Sequence, residues 1–378
     1  MTNVFIASYL RSPFTLANKG ELATVRPDEM LGQVVKELVT RSKINSADIE
    51  DLIAGCAFPE GEQGLNIARL AIFLSGLPIT VGGVTINRFC GSSMQSIHNA
   101  AANIIAGCGE VYIAAGVESM SRIPMSGFNP LPHPGLYERY PQSYESMGIT
   151  AENLANKYKI KRKNQEQFAL LSHQKAAKAI EYGYFNDEII SIKSETSEIS
   201  KDGCIRFDAS LENMASLKPA FDTKGSVTAA TSSPLTDGAS ATLICSEAYA
   251  KKNNLEPLAR IKSFAISGCA PEIMGIGPVG ATKKALARAN LTLNDIDVIE
   301  LNEAFAAQAL SVIEELKLDM AKINLDGGAI ALGHPLGASG ARITGKAAML
   351  LKRQKAKYAL ATMCIGGGQG IATILEAV

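Results

Sequence analysis

The sequence predicts an α/β fold built from two similar halves, and three observations lead to this prediction. Hydrophobic residues make up 47% of the 378 residues, which is enough for a large buried core. Aromatic residues make up only 6% and 33 residues are glycine, a mixture typical of helices packed closely on sheets. Finally, motifs in the first and last thirds of the chain correspond at one fixed spacing.

This spacing indicates an internal repeat. Three pairs of segments correspond at an offset of 247 residues: 48–50 with 295–297, 90–93 with 337–340, and 113–115 with 360–362. Each half reads as helix, strand, strand–turn–helix and strand. We therefore expect a duplicated α/β unit whose equivalent helix N-termini face one site across a pseudo-two-fold axis, where pockets tend to form.

The middle of the chain interrupts the repeat. Residues 124–144 hold five prolines and show no clear period, two amphipathic helices are expected at 150–158 and 164–182, and the charged, serine-rich stretch 191–203 is expected to be solvated. The predicted domains are an N-terminal half at 1–120 completed by about 236–258, an inserted domain at 121–235, and a C-terminal half at 259–378.

Charge and cysteine usage exclude several classes of function. The 37 basic residues balance 37 acidic ones, so nothing indicates a nucleic-acid surface. The seven cysteines include no CxxC pair, which disfavours a disulfide framework or a metal site and fits a reducing compartment. Without a leader peptide, an 18-residue apolar run or a peroxisomal address, a cytoplasmic protein with no membrane span is expected.

Cys90 is the first candidate catalytic residue. It follows a β-branched stretch at a bend, and a helix rich in small residues continues to Ile105. A thiol at a helix N-terminus feels the positive end of the macrodipole, which lowers its pKa and favours a nucleophilic thiolate. On its own, however, a lone cysteine is more often a small buried apolar residue.

Two glycine-rich segments favour the catalytic interpretation. His334 stands in a bend before another small-residue helix, where it suits a base poised near neutral pH, although a histidine that fixes a turn shows the same pattern. Cys364 ends a strand that enters the loop 366–368, whose amides suit an oxyanion hole. A tight strand-to-strand turn is the alternative for this loop.

Four motifs together resemble the thiolase family, most closely its degradative 3-ketoacyl-CoA thiolases. The matching stretches are NRFCGSSM at 87–94, NEAF at 302–305, GHPLG at 333–337 and CIGGG at 364–368. The resemblance covers nearly the whole chain. It implies a thiolase fold, in which two duplicated halves form a five-layered α-β-α-β-α arrangement and the inserted loop domain covers the CoA site.

The resemblance also implies roles for individual residues. Cys90 becomes the acyl-enzyme, His334 takes its proton, and Cys364 is the acid and base for the acetyl unit. The backbone amides of Cys90 and Gly366 form one oxyanion hole, and His334 with a water held by Asn302 forms the other. From its position alone, Asn302 also fits the N-cap of the helix that follows.

CoA is implied as a substrate, and no cofactor is expected. The implied CoA contacts are Arg206 at the phosphate end, Ser233 on the pantetheine, and the tunnel residues Met147, Phe221, Met274 and Phe305. As isolated residues, Arg206 is also typical of a solvated surface, Ser233 of a turn, and the four apolar residues of a core. Pro234 replaces a smaller residue of many members, which puts the turn beside Ser233 in doubt.

Two departures from the biosynthetic members favour a degradative enzyme of broad chain length. Ser146 stands where members specialised for acetoacetyl-CoA usually have histidine, and Ser93 where many biosynthetic members have glycine. We therefore expect cleavage of 3-ketoacyl-CoA by CoA in β-oxidation, by a homodimer or homotetramer, with a multienzyme partner left open. The alternatives are an acetyl-CoA acetyltransferase, an inactive CoA-binding relative and an unrelated Cys–His hydrolase.

Overall fold

The computed structural model describes residues 2–194 and 196–378. The strands are β1 Val4–Arg11, β2 Thr15–Leu16, β3 Asp51–Gly55, β4 Gly82–Ile86, β5 Val111–Ser119, β6 Ile192–Lys193, β7 Glu198–Ile199, β8 Thr236–Ser246, β9 Ala259–Gly268, β10 Val298–Leu301, β11 Tyr358–Ile365 and β12 Gln369–Glu376. The α-helices are α1 Pro27–Ser42, α2 Ile67–Ser75, α3 Ser92–Ile105, α4 Pro134–Arg139, α5 Met147–Lys157, α6 Arg162–Glu181, α7 Leu211–Ala215, α8 Glu247–Lys252, α9 Gly277–Ala289, α10 Ala306–Leu316, α11 Ala329–Leu332 and α12 Leu336–Gln354.

Ten of these strands form one mixed sheet, which is joined in its middle by a single short strand pairing. Their order is β10-β11-β12-β9-β1-β8-β5-β3-β4, with β2 beside β8. β1 and β9 are joined through the pairs Phe5 with Arg260 and Ile6 with Ala259, whereas β8 and β5 pair along nine residues. The sheet is therefore better described as two half-sheets that meet at β1 and β9.

The two half-sheets repeat one strand order. In the first, β1, β8 and β5 are antiparallel neighbours and β5, β3 and β4 are parallel ones. In the second, β9, β12 and β11 are antiparallel, and β10 is parallel to β11. A parallel bridge from Ile299 to Ile323 takes the place of β4. The predicted duplication is confirmed, and the 247-residue offset recurs in the ends of α1 and α9 at Ser42 and Ala289.

Five layers follow from the positions of the buried residues. Helices α1 and α2 cover the outer face of the first half-sheet with an apolar cluster that includes Leu31 and Ile72. Helices α9 and α10 cover the second half-sheet in the same way. Between the half-sheets lie α3 and α12, whose Ile97 and Ile343 belong to one cluster with residues of both. The predicted α-β-α-β-α arrangement is therefore confirmed.

Small residues bring the N-termini of α3 and α12 together in the central layer. A Cβ atom on Gly116 of β5 would clash with the carbonyl oxygen of Gly337 and lie 2.6 Å from the Cβ of Ser93. A Cβ atom on Gly340 would clash with the amide of Met94. Glycine is needed at these positions because any side chain would push the two helix ends apart.

The residues between β5 and β8 lie largely against the second half. Helices α5 and α6 cover nearly the residues predicted for them; α5 packs on α10 and on the 3-10 turns Pro271–Ile276, and α6 on α10 and α11. The segment 191–203 is not wholly solvated, because its β6–β7 hairpin buries Ile192 and Ile199 in the α1 cluster. Residue 195 of this segment lies outside the described residues, and the domain bounds stay a prediction.

Gly116→Ala tests the close approach of the two helix ends. Because the added methyl has no space, we expect the free energy of unfolding in urea to fall by about 3 kcal/mol. Gly135→Ala is the control: its Cβ would lie 3.5 Å from the nearest heavy atom, on His133, and the change should stay within about 0.5 kcal/mol. Equal unfolding midpoints for the two variants would contradict this account of the central layer.

Candidate active site

Cys90 lies in a strained turn between β4 and α3. Residues Phe89–Gly91 form a single 3-10 turn, and Phe89 has a φ of 43°, a left-handed conformation that is costly for a bulky side chain. The hydrogen bonds that hold the turn run from the Phe89 amide to Asn87 Oδ1 at 2.8 Å, from the Arg88 amide to Ser92 Oγ at 2.9 Å, and from Ser92 Oγ to the Phe89 carbonyl at 2.6 Å. The turn presents Cys90 just before the first residue of α3.

Residues of the second half pack against the other side of this turn. Cys90 is only 9% exposed, and the amides of Gly366 and of Cys90 itself lie near enough to its sulfur to act on the pKa of the thiol, which they lower. Gly91 permits the close approach, because a Cβ there would lie 2.7 Å from Cδ1 of Ile365. The structure thus brings the two amides predicted as an oxyanion hole to one sulfur atom.

Cys364 lies near the end of β11 and belongs to the same site. It is fully buried in an apolar cluster with Met274 and Phe305. Burial and the charge interaction with Cys90 raise the pKa of the Cys364 thiol well above its ordinary value. The two cysteines therefore lie within electrostatic reach of one another.

His334 lies in the bend between α11 and α12, and its hydrogen bonds fix its tautomer. Ser339 Oγ donates to the carbonyl of Pro335 at 2.9 Å, so it accepts the hydrogen bond from Nδ1–H of His334 at 2.5 Å. Nε2 therefore carries the lone pair and faces Nδ2 of Asn302 at 3.3 Å. Nε2 is therefore the basic nitrogen of His334, and it lies on the side of Asn302.

Asn302 is not a helix N-cap, so that alternative is wrong. Helix α10 begins at Ala306, and the residue at its N-cap is Phe305, whose backbone is extended. Asn302 is fully buried, and its Oδ1 has no partner among the described residues. A buried acceptor without a partner is costly, so this oxygen is suited to hold a water or a substrate group.

Burial dominates the ionisation of the cysteine and the histidine. It raises the pKa of Cys90 to about 11, although the amides of Gly366 and Cys90 act in the opposite direction. It lowers the pKa of His334 to about 3, with a further contribution from Arg342. The expectations of a low-pKa thiol and of a histidine poised near neutral pH are therefore wrong for the free protein, and both groups are uncharged near pH 7.

Four of the predicted CoA contacts form an apolar wall beside the cysteines. Met274 and Phe305 share the cluster of Cys364, and Met147 packs against it. Phe221 is 42% exposed and meets Phe305 edge to face, with ring centroids 5.8 Å apart. An exposed aromatic edge over a buried one makes a surface suited to a slender apolar ligand.

The other two predicted contacts lie on different elements. The amide and hydroxyl of Ser233 both donate to the carbonyl of Ala304, at 2.9 Å and 3.1 Å. Arg206 is exposed beside α6, and its amide donates to Nδ1 of His173 at 3.2 Å. No hydrogen bond or ion pair within 2–194 and 196–378 joins Arg206 to the cysteines. The CoA-binding roles of both residues stay predictions.

Ser93 does not bear on chain length as expected. It is fully buried between α3 and α12, where its hydroxyl accepts the amide of Ala341 at 2.8 Å. Its difference from glycine therefore serves helix packing and leaves the acyl side of the site unchanged. Ser146 is exposed just before α5, so the chain-length argument depends on this position alone.

Sequence reasoning missed Ser339, Arg88 and Gln369. Ser339 stood in a run of small residues that indicated close packing, and its place in the first turn of the helix after His334 was the available signal. Arg88 Nη1 donates to Gln369 Oε1 at 2.7 Å across 281 positions, and no local pattern predicts such a pair. Arg88 lies within the motif at 87–94 and Gln369 directly follows the motif at 364–368, but neither motif indicated the pair.

The described residues contain neither a candidate metal-binding cluster nor a helix that could span a membrane. Within them, no group of three or more His, Cys, Asp or Glu side chains is placed to hold a metal ion. Within the same residues, none of the helices combines the length and the apolar character needed to cross a membrane.

The match to known proteins spans the chain. Residues 4–248 match the thiolase N-terminal domain and residues 255–377 the thiolase C-terminal domain, so the chain belongs to the thiolase family, a class of acyltransferases. It is 46% identical to a 3-ketoacyl-CoA thiolase of Bacillus subtilis (strain 168), with 100% of both chains covered. It is 48% identical to one of Saccharophagus degradans, with 100% of this chain and 98% of the relative covered.

A solved structure agrees with this assignment. The crystal structure of the Bacillus anthracis acetyl-CoA acetyltransferase matches with a TM-score of 0.92 and 42% sequence identity, over 100% of this chain and 99% of the other. The predicted thiolase fold and the resemblance to the family are therefore confirmed.

The reactivity of Cys90 should follow its raised pKa. Because only the thiolate reacts and burial raises the pKa to about 11, alkylation by iodoacetamide should accelerate about tenfold for each pH unit from about pH 7 to about pH 10. Peptide mapping gives the rate at Cys90 alone. A short unstructured cysteine peptide with blocked termini, whose thiol has an ordinary pKa of about 8.5, should level off in this range; an early plateau at Cys90 would show that the helix N-terminus outweighs burial.

Ser339→Ala should slow acyl transfer by about 10- to 100-fold. Without an acceptor for Nδ1–H, the proton of His334 is free to move to Nε2 and the base is lost. Ser240→Ala is the matched control. Ser240 lies on β8, and its Oγ donates at 2.6 Å to the carbonyl of Ala338, which is in the same turn of α12 as Ser339. The bond does not involve His334. Equal losses of kcat in both variants would assign Ser339 to packing of the helix end.

Proposed function

We propose that this chain cleaves 3-ketoacyl-CoA with CoA to give acyl-CoA and acetyl-CoA, in fatty acid β-oxidation. The observation that supports the proposal is that Cys90 lies near Cys364 and near the amides of Gly366 and of Cys90 itself, while His334 lies in the bend that leads into α12, the helix that packs on the turn of Cys90. Cys90 comes from the first half, whereas Cys364, His334 and Gly366 come from the second. Thiolysis needs a nucleophile that holds the acyl group and a second group that moves protons, and two neighbouring cysteines suit these two roles.

The first step forms the acyl-enzyme. The Cys90 thiol transfers its proton to Nε2 of His334 as the sulfur attacks the 3-keto carbon, since both groups start uncharged. The keto oxygen accepts hydrogen bonds from the backbone amides of Cys90 and Gly366, and each such donor lowers the activation free energy by about 3 kcal/mol. The carbon–carbon bond then breaks, which leaves the acyl group on sulfur and the enolate of acetyl-CoA.

The enolate is held and protonated by the second half. The enolate oxygen accepts a hydrogen bond from Nε2–H of His334, which now carries the thiol proton. A water held by Asn302 completes this second oxyanion hole. The Cys364 thiol protonates the enolate carbon; its raised pKa keeps this proton in place until the carbanion forms. The resulting thiolate deprotonates the incoming CoA thiol, CoA attacks the acyl-enzyme, and Cys90 leaves with the proton of His334.

CoA binds in this proposal as a substrate, and no other cofactor takes part. Its pantetheine passes along the wall of Met147, Met274, Phe221 and Phe305, with Ser233 alongside. Its phosphates lie towards Arg206. An exposed arginine suits phosphate pairing, and the apolar wall suits the pantetheine arm.

We propose that the protein is a cytoplasmic homo-oligomer, and a β-oxidation multienzyme partner stays open. Strand β4 is an edge of the sheet, and exposed apolar side chains lie nearby: Leu65 at 90% and Ile79 at 75% exposed. Such an edge is ordinarily covered, and a second copy of the chain fits it. The seven free cysteines fit a reducing compartment.

Acetyl-CoA acetyltransferase activity is the second candidate function. The matched structure from Bacillus anthracis carries that name, and the same residues catalyse the condensation when the steps run backwards. A Cys–His hydrolase accounts less well for the site, because it leaves Cys364 and Asn302 without a role.

Cleavage of a C4 to C16 series of 3-ketoacyl-CoAs distinguishes these functions. We expect CoA-dependent cleavage beyond C4, with acyl-CoA and acetyl-CoA as the products. Activity on acetoacetyl-CoA alone would favour the acetyltransferase, and release of free acid without CoA would favour a hydrolase.

Cys364→Ala sharpens the same experiment. Cleavage should be lost, whereas mapping after an acid quench should still find an acyl group from acyl-CoA on Cys90. Cys108→Ala, which changes an exposed cysteine, should cleave at the wild-type rate. Undiminished turnover by Cys364→Ala would contradict its role in proton transfer.

A further inference from the structure

The loop that carries the Gly366 amide is intrinsically flexible. It consists of three glycines between β11 and β12, and Gly367 and Gly368 have φ values of 78° and 84°. Glycine loses more conformational freedom on folding than any other residue, so such a loop needs contacts to keep one geometry. The position of the Gly366 amide relative to Cys90 therefore depends on what holds the loop.

Two hydrogen bonds anchor the C-terminal side of this loop. The amide of Cys269 donates to the carbonyl of Gly368 at 2.8 Å, which ties the loop to β9 of its own half. Nη1 of Arg88 donates to Oε1 of Gln369 at 2.7 Å, which ties it to the opposite half. Arg88 lies two residues before the nucleophile, so the second bond connects the two catalytic segments directly.

We infer that Arg88 and Gln369 form a clamp that sets the position of the Gly366 amide against Cys90. This inference rests on the function proposed above and makes both residues positioning residues for it. The bond spans the gap between the halves beside the oxyanion amides. Loss of either partner leaves the glycine loop held only from its own half, by the pairing of Gln369 with Ile365 of β11 and with Gly268 of β9.

The surroundings of Arg88 make this bond important to its side chain. Arg88 is partly buried and has no carboxylate partner among the described residues, and its Nε has no hydrogen-bond acceptor there. His98 lies close enough for Arg88 to lower its pKa, but no hydrogen bond joins the two among the described residues: Nε2 of His98 is bonded to Oγ1 of Thr373, and its Nδ1 has no partner there. A hydrogen bond from a charged donor to an amide oxygen is stronger than a neutral one, so Gln369 is held firmly.

Arg88 acts through geometry and not through its charge. The pKa of Cys90 responds to burial, to the amides of Gly366 and Cys90, and to Glu118, and Arg88 is not among these causes. Substrate contacts of the apolar wall also lie on other elements. Removing the clamp should therefore lower kcat and leave KM nearly unchanged.

The test compares Arg88→Met, Gln369→Met and the double variant. Each single change should lower kcat for thiolysis by about 10- to 100-fold, because a displacement of about 1 Å at a reacting centre has effects of this size. The double variant should lose no more than the worse single variant, because each change breaks the same bond. Gln369→Glu keeps the acceptor oxygen and should retain most of the activity.

Arg260→Met is the matched control. Arg260 also joins the two halves, with Nη1 donating to Oδ1 of Asn3 at 3.0 Å, but it lies on β9 away from both catalytic loops. Its kcat should stay within about twofold of wild type. Wild-type kcat in both single variants, or losses that multiply in the double variant, would overturn the clamp.

A second measurement separates the clamp from the proposed function. At about pH 8, alkylation of Cys90 by iodoacetamide should be several-fold slower in Arg88→Met and Gln369→Met than in Arg260→Met, since the thiolate loses a well-placed Gly366 amide. If the wild-type protein cleaves no 3-ketoacyl-CoA, the proposed function fails, and the alkylation rates still decide the clamp. Equal rates in all three variants would overturn it.

Discussion

The contact between the N-termini of α3 and α12 is the constraint on which the site depends. The two helices come from different halves, and they approach closely because Gly116, Gly337 and Gly340 have no Cβ atoms to separate them. The turn before α3 carries Cys90, and the bend before α12 carries His334. A site assembled in this way needs no residue from a mobile loop for its nucleophile or its base, since both sit at the ends of buried helices.

Burial of the site explains the ionisation states of its residues before substrate binds. The same close packing that positions Cys90, His334 and Cys364 removes water from them, and this disfavours charge on each of the three. The amides of Gly366 and Cys90 lower the pKa of Cys90 but do not offset its burial. Reactivity is therefore tied to the arrival of substrate, whose developing charge is the one the amides are oriented to receive.

The sequence predicted the fold because it is carried by local patterns, and the same patterns carry the candidate catalytic positions, which stay a prediction. The repeat, the glycine-rich bends and the cysteines at element ends are readable within short windows, and the duplicated five-layered arrangement follows from them and the family resemblance. Burial is not readable in this way, so the ionisation of Cys90 and His334 was predicted wrongly. The roles of Ser339, Arg88 and Gln369 depend on hydrogen bonds across helix ends or between halves, which no periodicity encodes.

The central layer also has a consequence for how the chain acquires its structure. It holds one helix from each half, and α12 packs on β1, β5 and β8 as well as on β10 and β11. The inner face of the first half-sheet therefore stays partly uncovered until residues near the C-terminus have left the ribosome. An early-emerging half with an open apolar face is prone to aggregate. The two duplicated halves therefore complete each other's cores, and neither has its full core until the other is present.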